Sequence, residues 1–216
     1  MIHAVIFDLD GTLINSLPGI TASLNRVLDN NGLSTHKESI VRGFIGDGIV
    51  KLIERAIPAD SSQNQLDRLV SEMKSDYSKN WQQGSTPYPH VIETLKELIA
   101  RDISVAVFSN KPDIYCKEIT DTIFPDITFT KVLGQRDHVP VKPDPAGAYD
   151  VAKALGIKPQ NIAFLGDSTI DLITAKNAGM LSIAASWGYH DLPRLEKEKP
   201  DHIIHSMDKL ITTIFK

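Results

Sequence analysis

Apolar residues gather into short unbroken runs at four places along the chain: Ala4 to Phe7, Ile103 to Phe108, Ile162 to Leu165 and Leu181 to Ala185. Strands of a parallel sheet are covered on both faces and read as continuous hydrophobic segments, so each run predicts one buried parallel strand. Between them the apolar positions recur every three or four residues: Val91, Leu95, Leu98 and Ile99, then Ile114, Ile119 and Ile123, then Tyr149, Ala152 and Leu155. That spacing is helical. Alternating strand and helix predicts an α/β fold, a doubly wound (Rossmann-like) parallel sheet.

The alternation stops between Ser16 and Thr86. Three helical stripes follow one another there, with no strand pattern between them. They are Ile20, Leu24, Val27 and Leu28; Ile45, Ile49, Leu52, Ile53 and Ala56; and Leu66, Leu69, Val70, Met73 and Tyr77. The expected organisation is an inserted all-helical cap over 16–86, with an α/β catalytic core made of 1–15 and 87–216. Thr86-Pro87-Tyr88-Pro89 reads as the stiff return into that core.

Composition narrows the class. The 216 residues are 42% hydrophobic and 23% charged, which supports a full core and excludes collagen-like, disordered and disulfide-dense chains. Cys116 is the single cysteine, so no internal disulfide forms. The net charge is −4 and the basic residues are dispersed, which leaves no electrostatic footprint for nucleic acid. An anionic ligand would need local donors instead. No apolar run approaches a membrane span and Met1 leads directly into a strand, so the expected address is cytoplasmic and the expected partner a small molecule. Nothing in the pattern specifies an oligomeric state.

Chemistry concentrates where strands end. Asp8 and Asp10 close the first strand and Gly11 permits the turn that follows. Ser109-Asn110 follows the second. Lys142 lies in a Val-Lys-Pro-Asp-Pro loop, where Pro143 favours an extended backbone at Lys142. Gly166-Asp167 ends another strand, with Asp171 four residues on. Each has an ordinary reading: a turn, a loop cap, a solvated charge, an N-cap at Asp167 or Ser168. Together they predict one crevice, because a doubly wound sheet binds ligands at the carboxyl ends of its strands.

These residues resemble the haloacid dehalogenase superfamily, in its subclass with a helical cap after the first strand. The likeness rests on Asp8-Leu9-Asp10-Gly11-Thr12, Ser109, Lys142 and Asp167-Ser168 to Asp171. Ser109-Asn110-Lys111-Pro112, Ile45-Gly46-Asp47-Gly48, Pro87-Tyr88-Pro89 and Trp187-Gly188-Tyr189 are similar to the wording of its phosphoglycolate phosphatase group. Asn15 departs from the pattern, since many relatives carry Asp before the position of Ser16. It bears on the cap hinge and not on the chemistry.

The resemblance implies a phosphomonoesterase acting on a small phosphorylated metabolite, 2-phosphoglycolate first. Asp8 would be the nucleophile and Asp10 the proton donor and acceptor, with Ser109 and Lys142 holding the phosphoryl oxygens. Repulsion between a carboxylate and a phosphate dianion, about 4 kcal/mol per charge pair at 4 Å and an effective dielectric of 20, calls for a cation. Asp8, Asp167 and the backbone carbonyl of Asp10 would hold Mg²⁺ through oxygen alone. Thr12 is expected to orient Asp10, and Asp171 to support Lys142 or the metal's waters. Thr12, Asn110, Arg42, Gly46 and Lys51 are the expected substrate contacts. A cap would exclude bulk water.

Alternatives remain open. A sugar phosphomutase or pyrophosphatase would share Asp8 and Asp10, although mutases usually carry His where this chain has Ile20. Dehalogenases lack the second carboxylate. A non-catalytic phospho-ligand binder or a phospho-Asp switch is the reading from another class. Cys116, the seven histidines, Trp81 and Trp187 show no partner or metal spacing and read as structural.

Overall fold

The computed structural model describes residues 1–215. Its order is β1 (Ala4–Phe7), β2 (Ile14–Asn15), α1 (Leu17–Asn30), α2 (Glu38–Val41), α3 (Ile49–Ala56), α4 (Gln63–Asn80), β3 (Thr86–Pro87), α5 (Val91–Ala100), β4 (Ser104–Pro112) and α6 (Asp113–Ile123). The chain continues through β5 (Lys131–Gln135), α7 (Ala146–Leu155), β6 (Ile162–Gly166), α8 (Thr169–Asn177), β7 (Leu181–Ala185), α9 (Leu192–Lys197), β8 (His202–Ile204) and α10 (Leu210–Ile214). It divides into two compact units, one of Met1–Ile14 with the chain from Pro87 onward, the other Asn15–Thr86.

The first unit is built on a six-stranded sheet in the order β5-β4-β1-β6-β7-β8, every pairing parallel. The α/β, Rossmann-like class expected from the hydrophobic runs is the observed one. β1 is central and buried throughout. Chain order steps outward from it on one side through β4 and β5, then on the other through β6 and β7, which makes the end of β1 the switch point where such sheets open a crevice. Ala4, Ile6, Ala106, Phe108, Ile162 and Phe164 pack with Ala148, Val151 and Ala152 of α7 and Ala175 of α8. Gly147 lets α7 approach closely, since a Cβ there would lie 2.3 Å from the Phe108 ring.

Two strands of this sheet escaped the hydrophobic pattern. β5 carries only Val132 and Leu133 between polar residues and glycine, and β8 only Ile203 and Ile204. Both are edge strands, with one flank unpaired. β4 also continues past Phe108 to Pro112, with a register shift against β5 between those residues. Ile99, Ile114 and Tyr149 sit on exposed flanks of their helices and not in the core.

The second unit is helical. The apolar stripes of α1 and α4 are buried, and Arg26 on α1 holds Asp76 on α4 through two hydrogen bonds of 2.9 and 2.6 Å. The middle stripe is shorter than its spacing suggested. Ile45 is extended, because the 3₁₀ turn Arg42–Phe44 ends there, and α3 begins only after Gly48, whose φ of +85° breaks the helix. α2 is a further single turn with no periodicity to announce it.

Candidate active site

The loop after β1 turns sharply. Leu9 carbonyl accepts from the amides of Leu13 and Ile14, both at 3.0 Å, and Gly11 adopts φ +87°. A side chain at Gly11 is excluded on two counts: the left-handed backbone, and Asp167 Oδ2 at 2.3 Å from where its Cβ would stand. The turn thus brings the β1 end against the β6 end. Thr12 Oγ1 donates to Asp167 Oδ1 at 2.9 Å. Thr12 was expected to orient Asp10; its hydroxyl instead holds Asp167, because the Gly11 turn carries it across to β6.

Asp8 and Lys142 meet at the centre. Lys142 Nζ donates to Asp8 Oδ1 at 2.8 Å, Asp171 Oδ1 at 2.6 Å and the Phe108 carbonyl at 3.1 Å, three acceptors for three protons. The rings of Phe108 and Phe164 lie 5.6 Å from the same nitrogen, with their negative faces available to the ammonium. Asn110, expected at the substrate, clamps the Lys142 backbone. Its Nδ2 donates to the Lys142 carbonyl at 3.1 Å and its Oδ1 accepts from the Lys142 amide at 2.8 Å. The Lys142–Pro143 peptide is cis.

Asp171 also closes the N-terminus of α8. Its Oδ2 accepts from the Ser168 amide at 3.0 Å and the Ser168 hydroxyl at 2.6 Å, and Ser168 Oγ accepts in return from the Asp171 amide at 3.3 Å. The capping reading of this segment and the site reading both hold, one on each carboxylate oxygen. Ser109 is buried, with its Oγ accepting from the Lys111 amide at 3.4 Å.

Two participants were missed. Lys111 is buried, and its Nζ lies 2.9 Å from both oxygens of Asp10. The signal was the period of two: once β4 runs on to Pro112, Ser109 and Lys111 fall on one face of it. The second is the Tyr189 amide, which donates to Asp167 Oδ2 at 2.7 Å. Gly188 makes this approach possible, since a Cβ there would lie 2.4 Å from Asp167 Oδ2. Trp187, read as structural, fastens the same loop by donating from Nε1 to the Thr12 carbonyl at 3.1 Å.

Asp8, Asp10, Thr12, Ser109, Asn110, Lys142, Asp167 and Asp171 therefore lie along one edge of the first unit's sheet. Arg42, Gly46 and Lys51 belong to the helical unit. Lys51 is exposed there and pairs with Glu54 at 2.5 Å. Cys116 is inert. It is buried against the Lys111 carbonyl at 3.4 Å, and burial pushes its thiol far up.

The electrostatics favour a cation. Four carboxylates (Asp8, Asp10, Asp167 and Asp171) face two ammonium groups (Lys111 and Lys142), so full ionisation leaves two negative charges unmatched. Burial pushes the Asp8 carboxyl up to about 6, with Asp171 and Asp10 adding to the rise and Lys142 opposing it. Asp167 is driven well above the carboxylate range by burial, then by Asp171 and Asp8. Burial works against the Lys142 ammonium, but Asp171 and Asp8 outweigh it and raise its pKa. Carboxylate oxygens of Asp8, Asp167 and Asp171 lie within 4.8 Å of one another, and no other such group occurs among the described residues. Oxygen donors, excess negative charge and a backbone packed flush around Asp167 at Gly11 and Gly188 fit a hard divalent ion.

Comparison with known proteins agrees with this geometry. Residues 5–185 match the family model of the haloacid dehalogenase-like hydrolases. The chain is 32% identical to a phosphoglycolate phosphatase of Neisseria meningitidis over 216 residues, 97% of this chain and 92% of that one. It is 31% identical to the phosphoglycolate phosphatase of Haemophilus influenzae strain 86-028NP, covering 96% of each. A solved structure from Lactobacillus delbrueckii subsp. bulgaricus, a candidate phosphoglycolate phosphatase, superposes with a TM-score of 0.93 at 28% identity over 98% of both chains.

Proposed function

The chain belongs to the haloacid dehalogenase-like hydrolase family, and we propose that this phosphatase hydrolyses a short phosphomonoester through an aspartyl-phosphate on Asp8, with 2-phosphoglycolate the first substrate to try. The observation that carries the reading is the placing of Asp8 just before the turn that follows β1 and of Asp10 within it, each bonded to a different buried lysine.

Asp8, Asp167 and the Asp10 carbonyl are the proposed holders of Mg²⁺, with Asp171 beside them. When bound, the ion supplies positive charge that offsets repulsion between the Asp8 carboxylate and the phosphate dianion. Thr12 and the Tyr189 amide fix the Asp167 carboxylate, which would keep it in place for the ion.

An Asp8 carboxylate oxygen attacks phosphorus as the bond to the ester oxygen breaks, and Asp10 gives that oxygen its proton. Asp10, now ionised, takes a proton from water as the water oxygen attacks the same phosphorus. The bond to Asp8 then breaks, releasing inorganic phosphate and restoring the carboxylate. Lys142 and the Ser109 hydroxyl supply charge and a donor to the phosphoryl oxygens, whose charge spreads in the transition state. We place the enzyme in the cytoplasm; no helix among the described residues is long and apolar enough to cross a membrane.

The test is hydrolysis of 2-phosphoglycolate by the purified chain with Mg²⁺ and with chelator. Turnover only with the ion is expected. Equal rates in both would refute the metal-assisted reading. The phosphomutase reading is tested beside it by glucose-phosphate interconversion, which is expected to be absent.

A further inference from the structure

Lys111 has no part in the chemistry derived above, although burying an ammonium is costly without a purpose or a partner. Its backbone is fixed: the amide bonds Ser109 Oγ at 3.4 Å, the carbonyl accepts from Cys116 Sγ at 3.4 Å, and Gly134 of β5 passes so close that a Cβ there would lie 2.6 Å from that carbonyl oxygen. The side chain is 6% exposed and ends on both oxygens of Asp10. Lys142 stands on the nucleophile; Lys111 stands on the carboxyl that serves the leaving group. The two cations divide the site between the phosphoryl end of an ester and its organic end.

We infer that Lys111 is the specificity-determining residue of the site, taking up a carboxylate carried on the carbon next to the ester oxygen. This rests on the phosphatase reading above. Asp10 transfers its proton across about 2.7 Å, so an ammonium 2.9 Å from both Asp10 oxygens lies within about 5.6 Å of the leaving oxygen. An α-carboxylate oxygen reaches about 3 Å from that oxygen by ordinary bond lengths. That leaves at most about 2.6 Å along the line between them, so a charge-assisted hydrogen bond of about 2.8 Å is within reach. A neutral group of the same size offers the ammonium no charge-assisted bond.

The experiment compares kcat/KM for 2-phosphoglycolate and for ethyl phosphate, equal in carbon count but lacking the carboxylate, at saturating Mg²⁺. Wild type, Lys111→Met and Lys111→Arg are measured, with folding checked by circular dichroism. Wild type is expected to favour 2-phosphoglycolate by more than about tenfold. Lys111→Met is expected to collapse that ratio by about tenfold or more, mainly through KM, and Lys111→Arg to keep it within about threefold. Equal losses on both esters, leaving the ratio intact, would show that Lys111 acts only through Asp10 and would overturn the inference. A wild-type ratio near one would overturn it as well. If Lys111→Met does not fold, Lys111→Gln replaces it with the same two outcomes. Wild type inert toward both esters defeats the phosphatase reading itself, whereas activity without preference defeats only this inference.

Discussion

Asp8 is asked to be buried and also to be a reactive anion, and its neighbours show how far each demand prevails. Burial holds its carboxyl up near 6, while Lys142 at 2.8 Å pulls the other way. Replacement by Asn removes the nucleophile with little change of shape. Asp8→Asn is expected to lower kcat by at least about a thousandfold while far-ultraviolet circular dichroism stays unchanged. Thr12 offers a subtler test, since its hydroxyl touches Asp167 and not the reacting atoms. Thr12→Val should weaken activation by Mg²⁺ by about ten- to a hundredfold, read as the half-saturating ion concentration, with smaller change in kcat once the ion saturates.

Much at this scale was legible. The carboxylates, Ser109 and Lys142 are chemistry-bearing types at strand ends, so residue type and position agreed. Thr12 was given Asp10 as its neighbour and the Asn110 clamp went unread because a sequence gives spacing along the chain, whereas both bonds span the sheet edge: Thr12 to Asp167, Asn110 to Lys142. The Tyr189 amide carries no side-chain signature of its own. Only Gly188 before it hinted that a backbone must come close.

Among the elements, the loops after β1, β6 and β7 act together through backbone contacts that allow no Cβ. Gly188→Ala would press a methyl to within 2.4 Å of the Asp167 carboxylate. It is expected to lower the Tm and raise the Mg²⁺ concentration needed for activity, whereas Gly156→Ala, whose Cβ would meet nothing within 4 Å, should affect Tm alone through its φ of +68°. The cap of α8 is a second device. Ser168→Ala removes one side of its reciprocal bonds and should cost about 1 kcal/mol, a fall in Tm of roughly 2–4 °C. It should also loosen Asp171, and with it Lys142.

Strands with unbroken apolar runs were readable because burial on both faces demands them. β5 and β8 were not, since edge strands need only one apolar side and a few residues. Lys111 was hidden for another reason: on the interior strand β4 the apolar pattern ends at Phe108, but hydrogen bonding carries the strand four residues further.

The whole molecule carries a burden of buried negative charge that pH and cation should expose. Asp8 titrates near 6 when folded, against 3.8 as the ordinary value, so the folded chain holds that proton more tightly than the unfolded one. Its stabilising effect is complete below about pH 4 and is lost as pH rises through 6. Asp76, Asp113 and Asp201 shift downward and oppose this trend, so a variant isolates it. Without divalent ion, Asp8→Asn is expected to melt several degrees above wild type at pH 7.5, with the gap closing toward pH 4. Adding Mg²⁺ should raise the wild-type Tm at pH 7.5. A gap that is absent or independent of pH would contradict the charge arrangement derived above.

The most direct measurement is to quench the enzyme with acid during steady-state hydrolysis of 2-phosphoglycolate and weigh the peptide that carries Asp8. One added phosphoryl group on that peptide, dependent on Mg²⁺ and missing from Asp8→Asn, is the predicted result. Turnover without any such adduct, or an adduct that persists in Asp8→Asn, would contradict an aspartyl-phosphate on Asp8.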